Sequence, residues 1–261
     1  MTETDPTNQS APAEATLAEG AKPPRRVLIV MAHPDDGEFS CGGTVARWAA
    51  EGRDIYYCLV TDGQVGDAGD KEITSEQLTA VRHREAQAAA DALGVQHPVI
   101  FLHYWDSRLE PTLEVRRDIA RVIRQVRPDV VICQDPTVRW SGQGYINHPD
   151  HRAAGEATLA AIMPVASTRL AFPELAAEGL ETHNVREIYI SGTQTPDRWV
   201  DIEGYIEKKV AGLRAHQSQI HDWDPSEDMK QWAQRSGEAA QKVGHDIKYA
   251  EGFKYIRMED D

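Results

Sequence analysis

Residues 26–44, RVLIVMAHPDDGEFSCGGT, run from large apolar side chains straight into a histidine, two adjacent aspartates and a glutamate. RVLIVMA (26–32) is continuously apolar, as expected of a strand covered on both faces of a parallel sheet. In an open α/β sheet, ligands bind beyond the carboxyl ends of the strands. His33, Asp35, Asp36 and Glu38 stand at that position. An imidazole and carboxylates on a proline-stiffened turn can hold a divalent ion such as zinc. A plain capped turn, with an aspartate accepting backbone N–H groups and His33 merely packed, accounts for HPDD alone equally well. On an extended turn consecutive side chains point to opposite sides. Asp35 and Asp36 are therefore expected to divide their work, one toward metal and the other toward substrate.

Working outward, apolar runs and helical periodicity alternate. The pattern predicts strands over 54–63, 98–104, 129–135, 186–192 and 198–202. It predicts helices over 42–52, 75–93, 113–127 and 203–219, with Gly52 and Gly94 as stops and Pro128 just beyond the third. Gly42 and Gly43 are expected to allow close backbone packing near the start of the first helix. Residues 222–261 are polar and give no clear pattern. Such alternation implies crossover units, hence a Rossmann-like α/β fold with a mostly parallel sheet and helices on both faces.

The chain has 261 residues, enough for one large α/β domain, expected over 26–261. Residues 1–25 are rich in Thr, Ala, Pro and Glu and are expected to form a disordered tail. They carry neither the basic nor the apolar region of a secretory signal, so the cytoplasm is the expected location. No run reaches the roughly 18 apolar residues of a membrane span. The net charge of −14 argues against nucleic-acid and anionic-membrane partners, which need a basic face. Cys41, Cys58 and Cys133 suggest no disulfide framework and read as buried thiols.

A second segment, NHPDHRAAGEATL from residue 147, follows the strand expected over 129–135 through a glycine-rich loop. His148 precedes a proline and should be extended, just outside a helix. Pro149 suits the first helical position, which puts His151 in the first turn. Two His-Asp segments at one edge of one sheet favour the metal reading over the capped turn.

AHPDDGEFSCGGT and HPDH (148–151) resemble the paired signatures of the LmbE-like, or PIG-L-like, zinc-dependent deacetylases. The resemblance extends from about residue 26 to residue 219 and includes TDG (61–63), RHRE…ALGV (82–95) and AHQSQ (215–219). It implies Zn²⁺ held by His33, Asp36 and His151, with Asp35 as general base and His148 stabilising the tetrahedral intermediate. Three protein ligands leave a coordination position for water, the catalytic arrangement. The resemblance also gives Arg82 and Asp106 substrate contacts; alone, they read as a solvated helix arginine and a turn aspartate. Asp150 is expected either to orient His148 or simply to favour a helix N-terminus. Glu38 is expected to support the site or the helix start. His83, His97, His103, His183, His216, His221 and His245 lack a partner at suggestive spacing and read as structural or surface residues.

The implied function is zinc-dependent deacylation of an N-acyl amino sugar or related glycoconjugate. The implied partner is a small amino-sugar-type molecule, and the chain is expected to be a homo-oligomer. The alternatives are an amidase of a larger thiol–sugar or secondary-metabolite conjugate, a metal-dependent phosphoesterase, and a binding module with a structural metal. Specificity is expected from loops 64–76, 104–112 and 136–147, which carry Trp105, Arg139, Trp140 and Tyr145.

Overall fold

The computed structural model describes residues 25–66 and 69–258. The expected tail lies outside the described residues, Arg25 excepted. The central strand is β1 (Arg26–Met31), which pairs in parallel with β2 (Asp54–Thr61) on one side and β4 (Val130–Gln134) on the other. With β3 (Ile100–Tyr104), β7 (Glu187–Ser191), β8 (Arg198–Asp201) and β9 (Ala250–Arg257), these make a seven-stranded sheet of order β3-β2-β1-β4-β7-β9-β8. β9 runs antiparallel to both its neighbours. A two-stranded hairpin, β5 (Trp140–Ser141) and β6 (Tyr145–Ile146), stands apart from the sheet.

The continuous apolarity of β1 is used on both faces. Val27, Ile29 and Met31 pack with α1 (Asp36–Ala50) and α2 (Ser75–Leu93). Leu28, Val30 and Ala32 pack with α3 (Leu113–Val126) and α4 (Pro149–Ala160). Leu28 and Ile29 are fully buried, and truncating either to alanine should cost about 2–5 kcal/mol. The chain winds outward from β1 through β2 to β3, then returns to β4 on the other side of β1. The carboxyl ends of β1 and β4 thus flank the topological switch point, where α/β folds place their sites.

Local signals explain the boundaries. Thr74 and Gln77 form a reciprocal capping box at the start of α2, and Gly94 ends it at φ 85°. The first helix begins at Asp36, six residues before the expected start, so HPDD is a helix entry and not an extended turn. Gly43 is needed where α1 meets Ile202, because a Cβ there would lie 2.8 Å from that side chain.

The stretch 222–261, unassigned by its pattern, contains α8 (Ser226–Gln241) and β9. The predicted helix over 203–219 is divided into α6 (Ile206–Ala215) and α7 (Gln217–Ile220). A buried ion pair, Lys209 Nζ to Glu251 Oε1 at 2.6 Å, ties α6 to β9. Glu251 also accepts the backbone N–H groups of Gly43 and Thr44, which fastens α1 to the same strand. Among the described residues, no helix is long and apolar enough to cross a membrane. All three cysteines are buried free thiols, as read.

Candidate metal centre and active site

Both His-Asp segments arrive at the switch point. Asp35 is the residue before α1 and has φ 96°, a left-handed conformation that aspartate tolerates better than most residues. This turn, and not an extended chain, makes the adjacent carboxylates diverge. Asp36, in the first helical turn, accepts the backbone N–H of His33 on Oδ2 at 2.8 Å. The same oxygen lies 3.3 Å from His33 Nδ1, and Oδ1 lies 3.0 Å from His151 Nε2. Asp36 therefore joins the two segments, one oxygen to each imidazole.

His148 has the extended backbone expected before Pro149, with φ −55° and ψ 134°. Its ring stands edge-on to that of His33, 4.6 Å between centroids, and His151 lies 5.2 Å from His33. His148 Nδ1 accepts the backbone N–H of Asp150 at 3.2 Å, so a neutral His148 carries its proton on Nε2. Asp150 does not orient His148 through its carboxylate, whose Oδ1 is 3.8 Å from the ring. Its Oδ2 instead accepts the Ser107 N–H at 2.6 Å and lies 3.4 Å from His33 Nε2. Asp106 reaches the same His33 nitrogen at 3.2 Å and takes the Val65 N–H on its other oxygen.

Arg82 is 3% exposed, which removes the solvated-surface reading. It donates to Asp35 Oδ2 at 3.0 Å, to the Pro34 carbonyl and to the Gly63 carbonyl. Glu38 points away from the cluster and accepts from the fully buried His216 at 3.3 Å. Two residues that the motifs did not single out complete the centre. Asn147 Oδ1 meets His151 Nδ1 at 2.9 Å, which directs Nε2 toward Asp36, while its amide donates to Val138. Gln134, at the end of β4, accepts the Ala32 N–H and pins the end of β1.

The electrostatics divide the two aspartates. Burial pushes the Asp35 carboxyl up to about 6, against the opposing pull of Arg82. Burial acts on Asp36 in the same direction, but His151 and His33 outweigh it and hold that carboxyl well below its ordinary range. His33 is pulled down by burial and raised further by Asp36, Asp106 and Asp150, with a net rise well above its ordinary value. Burial and the neighbouring His33 lower His148.

These donors suit a metal ion. His33, His148 and His151 converge, as do His33, Asp106 and Asp150. Bonds of about 2.0–2.1 Å to a tetrahedral zinc separate neighbouring donor atoms by about 3.3 Å; Asp36 stands near that distance from each imidazole, through Oδ2 at 3.3 Å from His33 and through Oδ1 at 3.0 Å from His151. Asp150 Oδ1 is buried and accepts no hydrogen bond, a further sign that a cation belongs nearby.

Beside the centre opens a cleft of about 660 Å³ whose walls include Asp36, His151, Tyr145, Phe39 and Trp232. That volume suits a sugar-sized ligand. Tyr145, from the loop expected over 136–147, is one of these walls. Arg139 and Trp140 instead line an adjoining cleft with Thr193 and Gln194, and Trp105 lies under Arg108. Trp232 comes from α8, in the stretch whose pattern gave no assignment.

The PIG-L family, described as GlcNAc-PI de-N-acetylase, matches residues 28–162, more than half of the chain. The chain belongs to this family. Diacetylchitobiose deacetylase of Thermococcus kodakarensis is 32% identical over 237 residues, covering 89% of this chain and 83% of its own. The 1D-myo-inositol 2-acetamido-2-deoxy-alpha-D-glucopyranoside deacetylase of Kineococcus radiotolerans is 30% identical, covering 83% and 74%. Among solved structures, N,N'-diacetylchitobiose deacetylase from Pyrococcus horikoshii superimposes with a TM-score of 0.79 at 29% identity, covering 89% of this chain and 84% of that one. The sheet and its flanking helices are thus those of PIG-L deacetylases, and the His/Asp centre able to hold a metal lies within the matched segment, Asp35 through His151 included.

Proposed function

We propose that this chain hydrolyses the amide of an N-acyl amino sugar with a zinc ion held by His33, Asp36 and His151. The observation that carries the reading is the divergence at the entry to α1. Asp36 faces two imidazoles, while Asp35, one residue earlier, turns to Arg82. Zinc, when bound there, supplies a Lewis acid that activates water and polarises the amide carbonyl.

Asp35 accepts the proton of the attacking water as the new C–O bond forms, a task suited by the burial that raises its carboxyl above the ordinary range. Arg82 keeps the carboxylate aimed by donating to its outer oxygen and to the carbonyl just before it. His148, neutral with its proton on Nε2, donates to the developing oxyanion. Burial disfavours a protonated imidazole at this position. Asp35 then passes its proton to the nitrogen as the C–N bond breaks, which yields a carboxylate and a free amine. Asp106 and Asp150 steady His33, and the cleft walled by Tyr145 and Trp232 takes the sugar.

The relatives act on diacetylchitobiose and on an acetamido-glucopyranoside of inositol, which supports an N-acetylglucosamine-type substrate. A cytoplasmic homo-oligomer remains part of this reading; light scattering of the purified chain tests the assembly. The activity is tested by incubating zinc-loaded protein with a panel of N-acetylated amino sugars, sugar conjugates and phosphate esters. Free amine and acetate are expected in equal amounts, lost on chelation and restored by Zn²⁺. Phosphate release without amine would overturn the reading.

A further inference from the structure

We propose that Asp62, His83 and His103 form a second divalent-cation site, suited to zinc-like ions, at the edge of the sheet. Asp62 follows β2, His83 lies on α2 and His103 on β3. Asp62 Oδ1 stands 2.7 Å from His83 Nε2 and 3.0 Å from His103 Nδ1. All three donor atoms lie within 4.8 Å of one another. The carboxylate is buried, His83 is half-buried and the His103 side chain is 38% exposed. A cation could therefore enter from solvent on the His103 side.

The backbone is shaped around this convergence. β2 and β3 pair Leu59 with Phe101 and then Thr61 with Tyr104, so Leu102 and His103 together oppose Val60 alone. His103 carries the bulge at φ 60°. A bulge re-aims a side chain, and a left-handed histidine persists only where its surroundings hold it. Here the bulge delivers the imidazole to Asp62. The His83 ring is fixed from the other side by stacking on Phe101, 3.7 Å between centroids. Two preset imidazoles aimed at one carboxylate oxygen exceed what a surface hydrogen bond requires. Two imidazole nitrogens with one carboxylate oxygen are donors for zinc-class ions, whereas Ca²⁺ and Mg²⁺ prefer oxygen throughout.

The site is tied to the catalytic centre by the chain itself. Gly63, next to Asp62, accepts from Arg82, and Arg82 precedes His83. Three residues after His103, Asp106 touches His33. A cation here would clamp the segments that carry Arg82 and Asp106. It is a positioning site, with no contact to reacting atoms.

The test is equilibrium dialysis of the full chain against micromolar Zn²⁺, followed by elemental analysis. Wild type should hold two zinc ions per chain. His103→Gln, changed at the exposed ligand, should hold one fewer. His151→Ala should keep the edge ion, and its Tm should rise with Zn²⁺; adding His103→Gln should abolish that rise. If His103→Gln holds as much zinc as wild type, or the His151→Ala chain shows no Zn²⁺-dependent rise in Tm, the edge site does not exist. Because His33, Asp106 and Asp150 are left intact in both His151→Ala chains, the part of the Tm rise that His103→Gln removes reads the edge site, and failure of the catalytic assignment and failure of this one are distinguishable.

Discussion

His33, Asp36, His148 and His151 come from two short motifs beyond the neighbouring central strands β1 and β4. Asp62, His83 and His103 come one at a time from the end of β2, from α2 and from the bulge in β3. Both clusters set imidazoles against carboxylate at about 3 Å. The first is walled by a cleft and by a carboxylate, Asp35, turned away from the imidazoles. The second opens to solvent at His103. The difference teaches that matching donor sets can serve different ends. What marks a reaction centre is the proton acceptor and the substrate cleft beside the donors.

The largest expected effect separates the clusters outright. His151→Ala should lose the catalytic zinc and turnover together, whereas His103→Gln should retain the catalytic ion. Elemental analysis with an amine-release assay reads both. Full zinc content in His151→Ala would break the comparison at its first term.

Next comes the hydrogen-bonded support of a catalytic imidazole. Asn147 fixes the His151 ring through Nδ1, and partners of this kind are worth roughly 10–100-fold in metal affinity or activity. Asn147→Leu should weaken zinc binding by that range with the fold intact, measured by competition with a chelating dye.

A smaller effect concerns the cleft. Trp232 is 48% exposed and lines it. Trp232→Ala should raise KM roughly 3- to 10-fold, in keeping with about 0.5–1.5 kcal/mol for aromatic contacts, and leave kcat nearly unchanged. A fall in kcat alone would remove this residue from the substrate wall.

The smallest effect sits beside the edge cluster. Asp118 anchors β3 by accepting from Tyr104 at 2.6 Å. Burial opposes its charge, but hydrogen bonds from Arg117, Tyr104 and Arg121 outweigh that and hold the carboxyl below its ordinary range. Its folded-state pKa is depressed, so its stabilisation is present above the ordinary value near 4 and fades as pH falls below it. Asp118→Asn should lower Tm at pH 7 by about 1–3 °C, and the gap to wild type should close below about pH 4.

The catalytic cluster was legible because each motif is contiguous and follows a buried strand. His33, Asp36, His148 and His151 do meet, and the strand and helix order was readable from apolar runs that the central strands use on both faces. Four features escaped. The left-handed turn at Asp35 leaves no periodic trace. Glu38 and Asp150 lie in the motifs, but which imidazole each faces depends on packing against His216 and Ser107. Asp62, His83 and His103 are separated by about twenty residues each, and only the placing of α2 on the sheet, the parallel pairing of β2 with β3 and the bulge bring them together. Strand β9 was hidden because Glu251, Gly252 and Lys254 interrupt its apolar residues, and its place is fixed by Glu251 reaching α1 and Lys209.

The proposed chemistry has Asp35 moving the proton while Asp36 holds the metal. Asp35→Asn nearly preserves size and leaves His33, Asp36 and His151 in place. Zinc per chain and amine release should be measured on the same preparation. Asp35→Asn should show wild-type zinc content with turnover reduced about 10²–10⁴-fold, whereas Asp36→Asn should lose zinc. Wild-type turnover by zinc-loaded Asp35→Asn would contradict it.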